Sequence, residues 1–297
     1  MKKAERTALI SVPVAILAGA ALAWAGSQGG ATILGGIPLF AFCVGLAFLI
    51  QWLAFIPAYL LQTERFYDLS GSLTYICVTL LALLLSPATD IRSILLLILV
   101  VIWAVRLGTF LVRRILKAGK DARFDEMKPS FVRFLNAWNL QALWVAFTLA
   151  AALAAITTTT RKPLDLFGGL GFLIWIIGIA IEATADAQKN RFRADPQNKG
   201  KFIQTGLWAR SRHPNYFGEI VLWIGVAVIC LPVLRGWQWI TLISPVFVTL
   251  LLTRISGVPM LEARADEKWG GQEDYEAYKK RTPVWVPRLV GPEDELE

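Results

Sequence analysis

Residues 37–61, IPLFAFCVGLAFLIQWLAFIPAYLL, run without a single charged side chain. About 20 apolar residues in helical form cross the hydrocarbon core of a bilayer, so this stretch reads as a membrane-spanning helix. Working outward, similar apolar runs lie at 8–25, 73–87, 93–112, 131–156, 166–185, 217–235 and 237–255, which makes eight candidate spans. The third is short, and the last two are separated only by Arg235 and Gly236, so seven spans with one long or re-entrant element fit the same pattern. Composition agrees: of 297 residues, 56% are hydrophobic and 18% charged, and the mean hydropathy is +0.53. That excludes a soluble globular enzyme and predicts an all-α, polytopic integral membrane protein of seven to eight transmembrane helices forming one membrane domain, 1–297.

Lys and Arg number 30 against 22 Asp and Glu. Most of these charges fall between apolar runs, where membrane topology accounts for them and no nucleic-acid partner is expected. With eight spans the N-terminus, the segments 62–72, 113–130 and 186–216, and the tail 256–297 share one side; the opposite segments hold only Arg92, Arg161, Lys162 and Arg235. The positive-inside rule then predicts cytoplasmic N- and C-termini. Lys2, Lys3 and Arg6 precede an apolar stretch ending in Ala-Trp-Ala-Gly, but that stretch is longer than the core of a signal peptide, so it reads as an uncleaved first span. Cys43, Cys77 and Cys230 each fall inside an apolar run and read as packing residues. A single histidine excludes metal sites built from several imidazoles, and no metal is expected.

Chemistry is expected where polar residues mass at the ends of the later spans. In IEATADAQKNRFRADP, Glu182 and Asp186 are four apart and share a helix face. Arg191 and Arg193 follow, with planar donor forks suited to phosphate. The bland reading is a helix end with a basic collar at the membrane interface. It is evenly weighed for Lys189 and Arg191, but explains the two acids less well. Next comes Arg210-Ser-Arg-His-Pro-Asn-Tyr-Phe-Gly-Glu219. Pro214 keeps His213 extended, Asn215 is an expected N-cap for a helix starting at Tyr216, and Glu219 projects one turn into a span. Arg210, Arg212 and His213 around a helix N-terminus form an anion site by charge and by dipole. A third group runs from Glu262 through Tyr275, Tyr278 and Arg281 to Pro287, with the two tyrosines on a short amphipathic helix that ends before Pro283. Alone it would read as an interfacial helix with an aromatic anchor and snorkelling lysines. In the N-terminal half, Arg106 inside the fourth span is the least expected charge; it either snorkels or faces inward.

Taken together, the acid-bearing span, the arginines after it, Gly206-Leu-Trp followed by Arg-His-Pro-Asn-Tyr-Phe-Gly-Glu, and the tyrosine-rich tail resemble the steroid 5-alpha-reductase superfamily, in particular its bacterial branch described as a domain of unknown function. The match is strong over about 165–287. It is weaker at Phe-x-Pro-Ala (55–58), Trp-x-x-Arg (103–106) and Lys-Asp-x-Arg (120–123). The resemblance implies a membrane reductase that binds NADPH in the C-terminal helices and cytoplasmic loops and reduces a carbon–carbon double bond conjugated to a ketone in a lipid. It puts Asp186, Arg193, Lys201, Asn215, Tyr216 and Glu219 in the cofactor pocket; with the residues above, the expected set also holds Glu182, Arg191, Arg210, Arg212, His213, Tyr275 and Arg281. Residues 1–160 are then the lipid-substrate helices and 161–297 the cofactor-binding part, in a bacterial inner membrane. Glu182 stands where an asparagine is usual in the family, and Lys201 where an arginine is usual.

Steroid-reducing members use a Gln-Glu pair before the Pro-Ala step and a tyrosine three residues before the arginine of the fourth span. Here those places read Ala54-Phe55 and Trp103, so the standard steroid enone is not the expected substrate. Tyr67 and Asp68, read as part of a cytoplasmic loop facing the cofactor, are the expected replacements. The competing relative is the isoprenylcysteine carboxyl methyltransferase branch, which shares Arg-His-Pro-x-Tyr-x-Gly and the tyrosine-rich tail but binds S-adenosylmethionine. The Asn-Tyr-x-Gly-Glu ending, the acid-plus-arginine segment at 182–193 and the larger number of spans favour the reductase. A non-enzymatic scaffold or transporter fits less well, because the polar residues mass at one membrane face rather than at mid-depth.

Overall fold

The computed structural model describes residues 3–288; Lys2 and the tail after 288 lie outside the described residues. Among the described residues the chain is all-α apart from a hairpin of two two-residue strands, Thr32–Ile33 with Ile37–Pro38 (β1 and β2), in register Ile33 to Ile37. Eight helical stretches among the described residues are long and apolar enough to cross a membrane, as the apolar runs predict. The protein is a polytopic integral membrane protein.

The helices are α1 (Lys3–Ser27), α2 (Leu39–Leu60), α3 (Tyr67–Leu85), α4 (Ile91–Ala118), α5 (Phe131–Thr157), α6 (Leu166–Ala194), α7 (Leu207–Arg210), α8 (Pro214–Cys230), α9 (Ile243–Leu250), α10 (Val258–Trp269) and α11 (Glu273–Arg281). Several outrun the apolar runs that predicted them. Helix α4 continues to Ala118 and α6 to Ala194, because backbone hydrogen bonding carries a helix past the point where its side chains turn polar. The eighth span is not a single regular helix: a 3-10 stretch (Gly236–Leu242) leads into α9, a π-helical turn (Leu251–Ile255) follows, and α10 resumes after Gly257. Pro245 and Pro259 each remove a backbone donor in this stretch, and membrane helices tolerate such breaks when neighbours re-satisfy the freed groups.

Two compact units divide the chain. The first holds the residues up to Gly169 together with Val226–Ser244. In it α1 and α5 run side by side, α2 packs on α3 and α5, and α3 packs on α4. Two arginines read as cations of the outer segments prove to be structural fasteners. Arg92 lies in the first turn of α4, is 1% exposed, and donates to the carbonyls of Pro163 (2.9 Å) and Ile229 and to Asp165 (3.2 Å). Arg161 donates to Ser86, Ser93 and the carbonyl of Ile156. Satisfying chain ends in this way is what burying irregular backbone requires.

The second unit holds Leu170–Gly225 and the residues from Pro245 onward. Its spine is the close packing of α6 on α8. A Cβ added to Gly218 would come within 2.6 Å of the Glu182 backbone nitrogen and 2.7 Å of the Gly178 carbonyl; one on Gly225 would meet the Gly171 carbonyl at 2.6 Å. Only glycine lets two helix backbones touch like this, the usual device of membrane helix pairs. The contact brings Glu182 and Glu219, both buried, to the seam between the two helices.

Candidate functional site

The polar end of the second unit is assembled from four parts of the sequence. At the end of α6, Asp186 accepts a hydrogen bond from the Asn215 side chain of α8 (3.3 Å). Beside it on α6, Gln188 accepts from the Leu207 amide (3.0 Å), and the Trp208 indole donates to the Ala185 carbonyl (3.0 Å). The Lys189 ammonium sits 4.2 Å from the centre of the Trp208 ring. Helix α7 is thus laid across the last turns of α6. Helix α11 covers it in turn: the Tyr278 hydroxyl donates to the Trp208 carbonyl (2.8 Å), and the Arg212 amide donates to the Pro283 carbonyl (2.9 Å).

The expected N-cap is displaced by two residues. Helix α8 starts at Pro214, and the His213 carbonyl accepts from the Phe217 amide (3.2 Å), so His213 occupies the capping position. Proline is favoured in the first helical position because its missing amide proton has no partner there anyway. Asn215, now inside the first turn, is free to reach across to Asp186. His213 is 5% exposed, and its ring stacks on Tyr216 with centroids 5.7 Å apart.

His213 and Arg212 do not form an open anion collar. Glu262, near the start of α10, takes both: its Oε1 lies 2.6 Å from His213 Nε2, and its Oε2 accepts from Arg212. With Glu262 ionised, the ring proton sits on Nε2, and the buried Nδ1 is left as an acceptor with no partner. Burial lowers the His213 pKa below its ordinary value, and the opposing pull of Glu262 does not restore it. The role of Glu262 was not deduced from the sequence. Its signal was the i, i+4 pair with Asp266 on one face of α10, which the tyrosine-rich helix then covers.

The remaining expected site residues fall into two groups. Glu182, Asp186, Arg212, His213, Asn215, Tyr216 and Glu219 come together around the α6–α8 seam. Arg191, Arg193 and Lys201 are exposed and outside any ion pair among the described residues; Arg210 is half-buried, with its carbonyl accepting from the Arg288 amide. Arg281 is exposed and donates to Gln204. Tyr275 and Tyr278 are buried in protein, so α11 does not use them as lipid anchors: Tyr275 donates to Asp266 (3.0 Å), and both rings pack on Phe202.

In the first unit, Tyr67 and Asp68 are not on a loop. They form the first turn of α3, where a helix start suits an acidic residue. The Tyr67 hydroxyl donates to the Ala137 carbonyl (3.0 Å), and its ring lies between Phe124 and Trp138. Asp68 pairs with Arg114 at 3.0 Å. To serve as an acid, Tyr67 would first have to break its bond to Ala137. At the places where steroid-reducing relatives carry polar groups, Phe55 is buried in an aromatic cluster with Phe131 and Phe134, and Trp103 is 1% exposed against Tyr75.

The family model described as protein of unknown function (DUF1295) matches residues 54–282, most of the chain. The chain belongs to this family. It fits the steroid 5-alpha-reductase superfamily, and its curated relatives include sterol and steroid reductases. A probable 7-dehydrocholesterol reductase of Acanthamoeba polyphaga mimivirus is 30% identical over 52% of this chain and 37% of its own length. The 3-oxo-5-alpha-steroid 4-dehydrogenase 1 of Rattus norvegicus is 28% identical over 40% of this chain and 41% of its own. A probable O-methyltransferase of Ustilaginoidea virens is 30% identical over 32% of each chain. The DUF1295 chain therefore spans roughly a third to two fifths of the length of these relatives. No solved structure matches it significantly.

Proposed function

We propose that this protein is an NADPH-dependent membrane reductase that transfers hydride to an activated carbon–carbon double bond of a lipid, working from the cytoplasmic side of a bacterial inner membrane with both termini on that side. The observation that carries the reading is the α6–α8 seam, where glycine contacts bring carboxylates and a buried, half-used imidazole to one polar helix end. The residues fit a dinucleotide. Arg191, Arg193 and Lys201 offer exposed cations for phosphates, while the acceptor His213 Nδ1 and the acids Asp186, Glu182 and Glu219 suit ribose hydroxyls and an amide. NADPH, when bound, supplies the hydride.

The chain's own contribution is positioning. Asn215 and Asp186 lock α8 to α6, and Glu262 fixes the His213 ring so that Nδ1 faces one way. Rigid placement of a donor against an acceptor is worth far more than any single contact. Reduction of a conjugated bond also needs a hydrogen-bond donor where negative charge develops; we assign this to the Tyr67 hydroxyl, which must leave the Ala137 carbonyl to donate, with the carboxylate of Asp68 held beside it by Arg114. Mass spectrometry of the nucleotide that copurifies with detergent-extracted protein tests the reading. NADPH or its oxidised form is expected, whereas S-adenosylmethionine would favour the methyltransferase reading, which the O-methyltransferase relative keeps in play.

A further inference from the structure

Helices α1 and α5 run side by side in the same direction. Their far ends meet where the Ala31 amide donates to the Thr157 carbonyl (2.7 Å), so Lys3 and Phe131 begin them at the other end. That is the end which the charge pattern reads as cytoplasmic, just outside the apolar run 8–25, where lipid headgroups lie. A groove of about 480 Å³ opens there between the first turns of α1, the first turns of α5 and Met127. Its size is that of a small-molecule site. Ala4, Ala8 and Met127 supply its apolar lining, and Lys3, Arg133 and Asn136 its polar lining.

The protein itself engages these two cations little. Lys3 is exposed and enters no ion pair among the described residues. Arg133 pairs with Glu126 at 3.5 Å, and the Glu126 side chain is almost fully exposed. Surface pairs of that kind contribute little. Other cations at this end of the unit are matched, as Arg123 is by Asp121, Lys128 by Glu64 and Lys120 by Asp125, or stand on the open surface at the end of α4, as Arg113 and Lys117 do. The groove on the opposite face of α1 has the contrary character, with Glu5 and Ser130 in its lining. Lys3 also heads an apolar stripe: Ile10, Val14 and Leu17 follow it at helical spacing on one face of α1, and all three are exposed.

We propose that this groove binds the headgroup of an anionic phosphoglyceride, with Lys3 and Arg133 on its phosphodiester and its acyl chains along Ile10, Val14 and Leu17. Basic pockets at the ends of membrane helices hold anionic headgroups by charge. A phosphatidylcholine carries the same phosphate but brings a quaternary ammonium toward two cations, which repel it. A free phosphate leaves the apolar stripe unused. The bound lipid ties the start of α1 to the start of α5, and it is distinct from any lipid that the reductase reading would reduce.

The test uses the full-length, delipidated protein in a neutral detergent without nucleotide, so failure of the NADPH reading leaves it untouched. Binding of phosphatidylglycerol and of phosphatidylcholine with the same acyl chains is titrated by native mass spectrometry. Wild type is expected to bind phosphatidylglycerol tighter by about tenfold or more, at roughly fivefold for each cation, and inorganic phosphate at matched concentration should displace none of it. Lys3→Gln combined with Arg133→Gln should bring the two lipids to within about twofold. Ala4→Trp, which fills the groove and leaves both cations, should do the same. Arg113→Gln combined with Lys117→Gln removes as much charge from outside the groove and should keep the preference. Equal binding of the two lipids by wild type, or displacement by phosphate, overturns the proposal. So does a preference kept in the folded groove variants, or one lost as fully in the Arg113 and Lys117 variant.

Discussion

Glu262 on α10 holds His213 at the start of α8, with Oε1 2.6 Å from Nε2, although the two residues are 49 apart in sequence. One carboxylate thereby orients the ring and takes up the Arg212 guanidinium. Glu262→Gln should weaken both links and destabilise the folded protein by about 2 kcal/mol. A thermal melt of the detergent-solubilised variant against wild type checks this, and an unchanged melting temperature would show that the contact is idle.

The pH dependence follows from the same ring. Burial comes first and lowers the His213 pKa below its ordinary 6.5, Glu262 pulls it up, and Lys189 and Arg212 push it down. The unfolded chain therefore takes up this proton at a higher pH than the folded one. His213 contributes its full stability above about pH 6.5 and loses it as the pH falls toward the folded pKa. Melting curves between about pH 8 and pH 5 should fall more steeply for wild type than for His213→Gln. Parallel curves would contradict the sign.

Glu64 and Lys128 form a pair outside the spans, 2.7 Å apart, with the carboxylate 4% exposed. Burial acts to raise the Glu64 pKa, but the Lys128 ammonium and the Asp121 amide outweigh it and hold the carboxyl below its usual range. This stability is present above about pH 4.5 and is lost as the pH falls through the folded pKa. Glu64→Gln should cost about 1 kcal/mol, because the half-buried Lys128 keeps Asp125 as a partner at 3.3 Å, measured as a lower melting temperature at neutral pH.

How much of this was legible in the sequence depends on the physics behind each feature. The spans could be read because an uncharged run long enough to cross a bilayer has few other uses. The ends of helices could not: Tyr67 and Asp68 look like loop residues by hydropathy, yet they close the first turn of α3, since hydrogen bonding does not stop where lipid does. The candidate site was half legible. Asp186 and Asn215 sit in motifs that announce themselves, and the structure joins them. Glu262 lies in an ordinary charged helix, and nothing local to it says that its partner is 49 residues upstream. Lys3 and Arg133 look like two of many interfacial cations, and only the packing of α1 beside α5 brings them to one groove.

Asp186→Ala and Glu219→Ala are expected to lower NADPH affinity by about tenfold or more while leaving a folded, membrane-inserted protein, because a hydrogen bond to a charged group commonly carries that much. Affinity and monodispersity measured in the same preparations separate a cofactor role from a packing role. Gly218→Ala, by contrast, should damage folding and affinity together, since its Cβ would press on backbone atoms of α6.

On an identified lipid substrate, Asp68→Asn and Tyr67→Phe should both reduce turnover more than they reduce NADPH affinity. Tyr67→Phe is expected to have the larger effect, because the carboxylate of Asp68, paired with Arg114, has no proton to donate. Wild type should leave 3-oxo-4-ene steroids unreduced, with Phe55 and Trp103 packed where a ketone would need donors. Robust steroid reduction would show that the reacting centre lies elsewhere.

The most direct test of the reductase reading is a thermal-shift titration of the purified wild-type protein with NADPH, NADH and S-adenosylmethionine in parallel. Saturable stabilisation by NADPH, stronger than by NADH because the exposed Arg191 and Arg193 offer cations for the extra phosphate, is the expected result. Stabilisation by S-adenosylmethionine with no response to NADPH would contradict it.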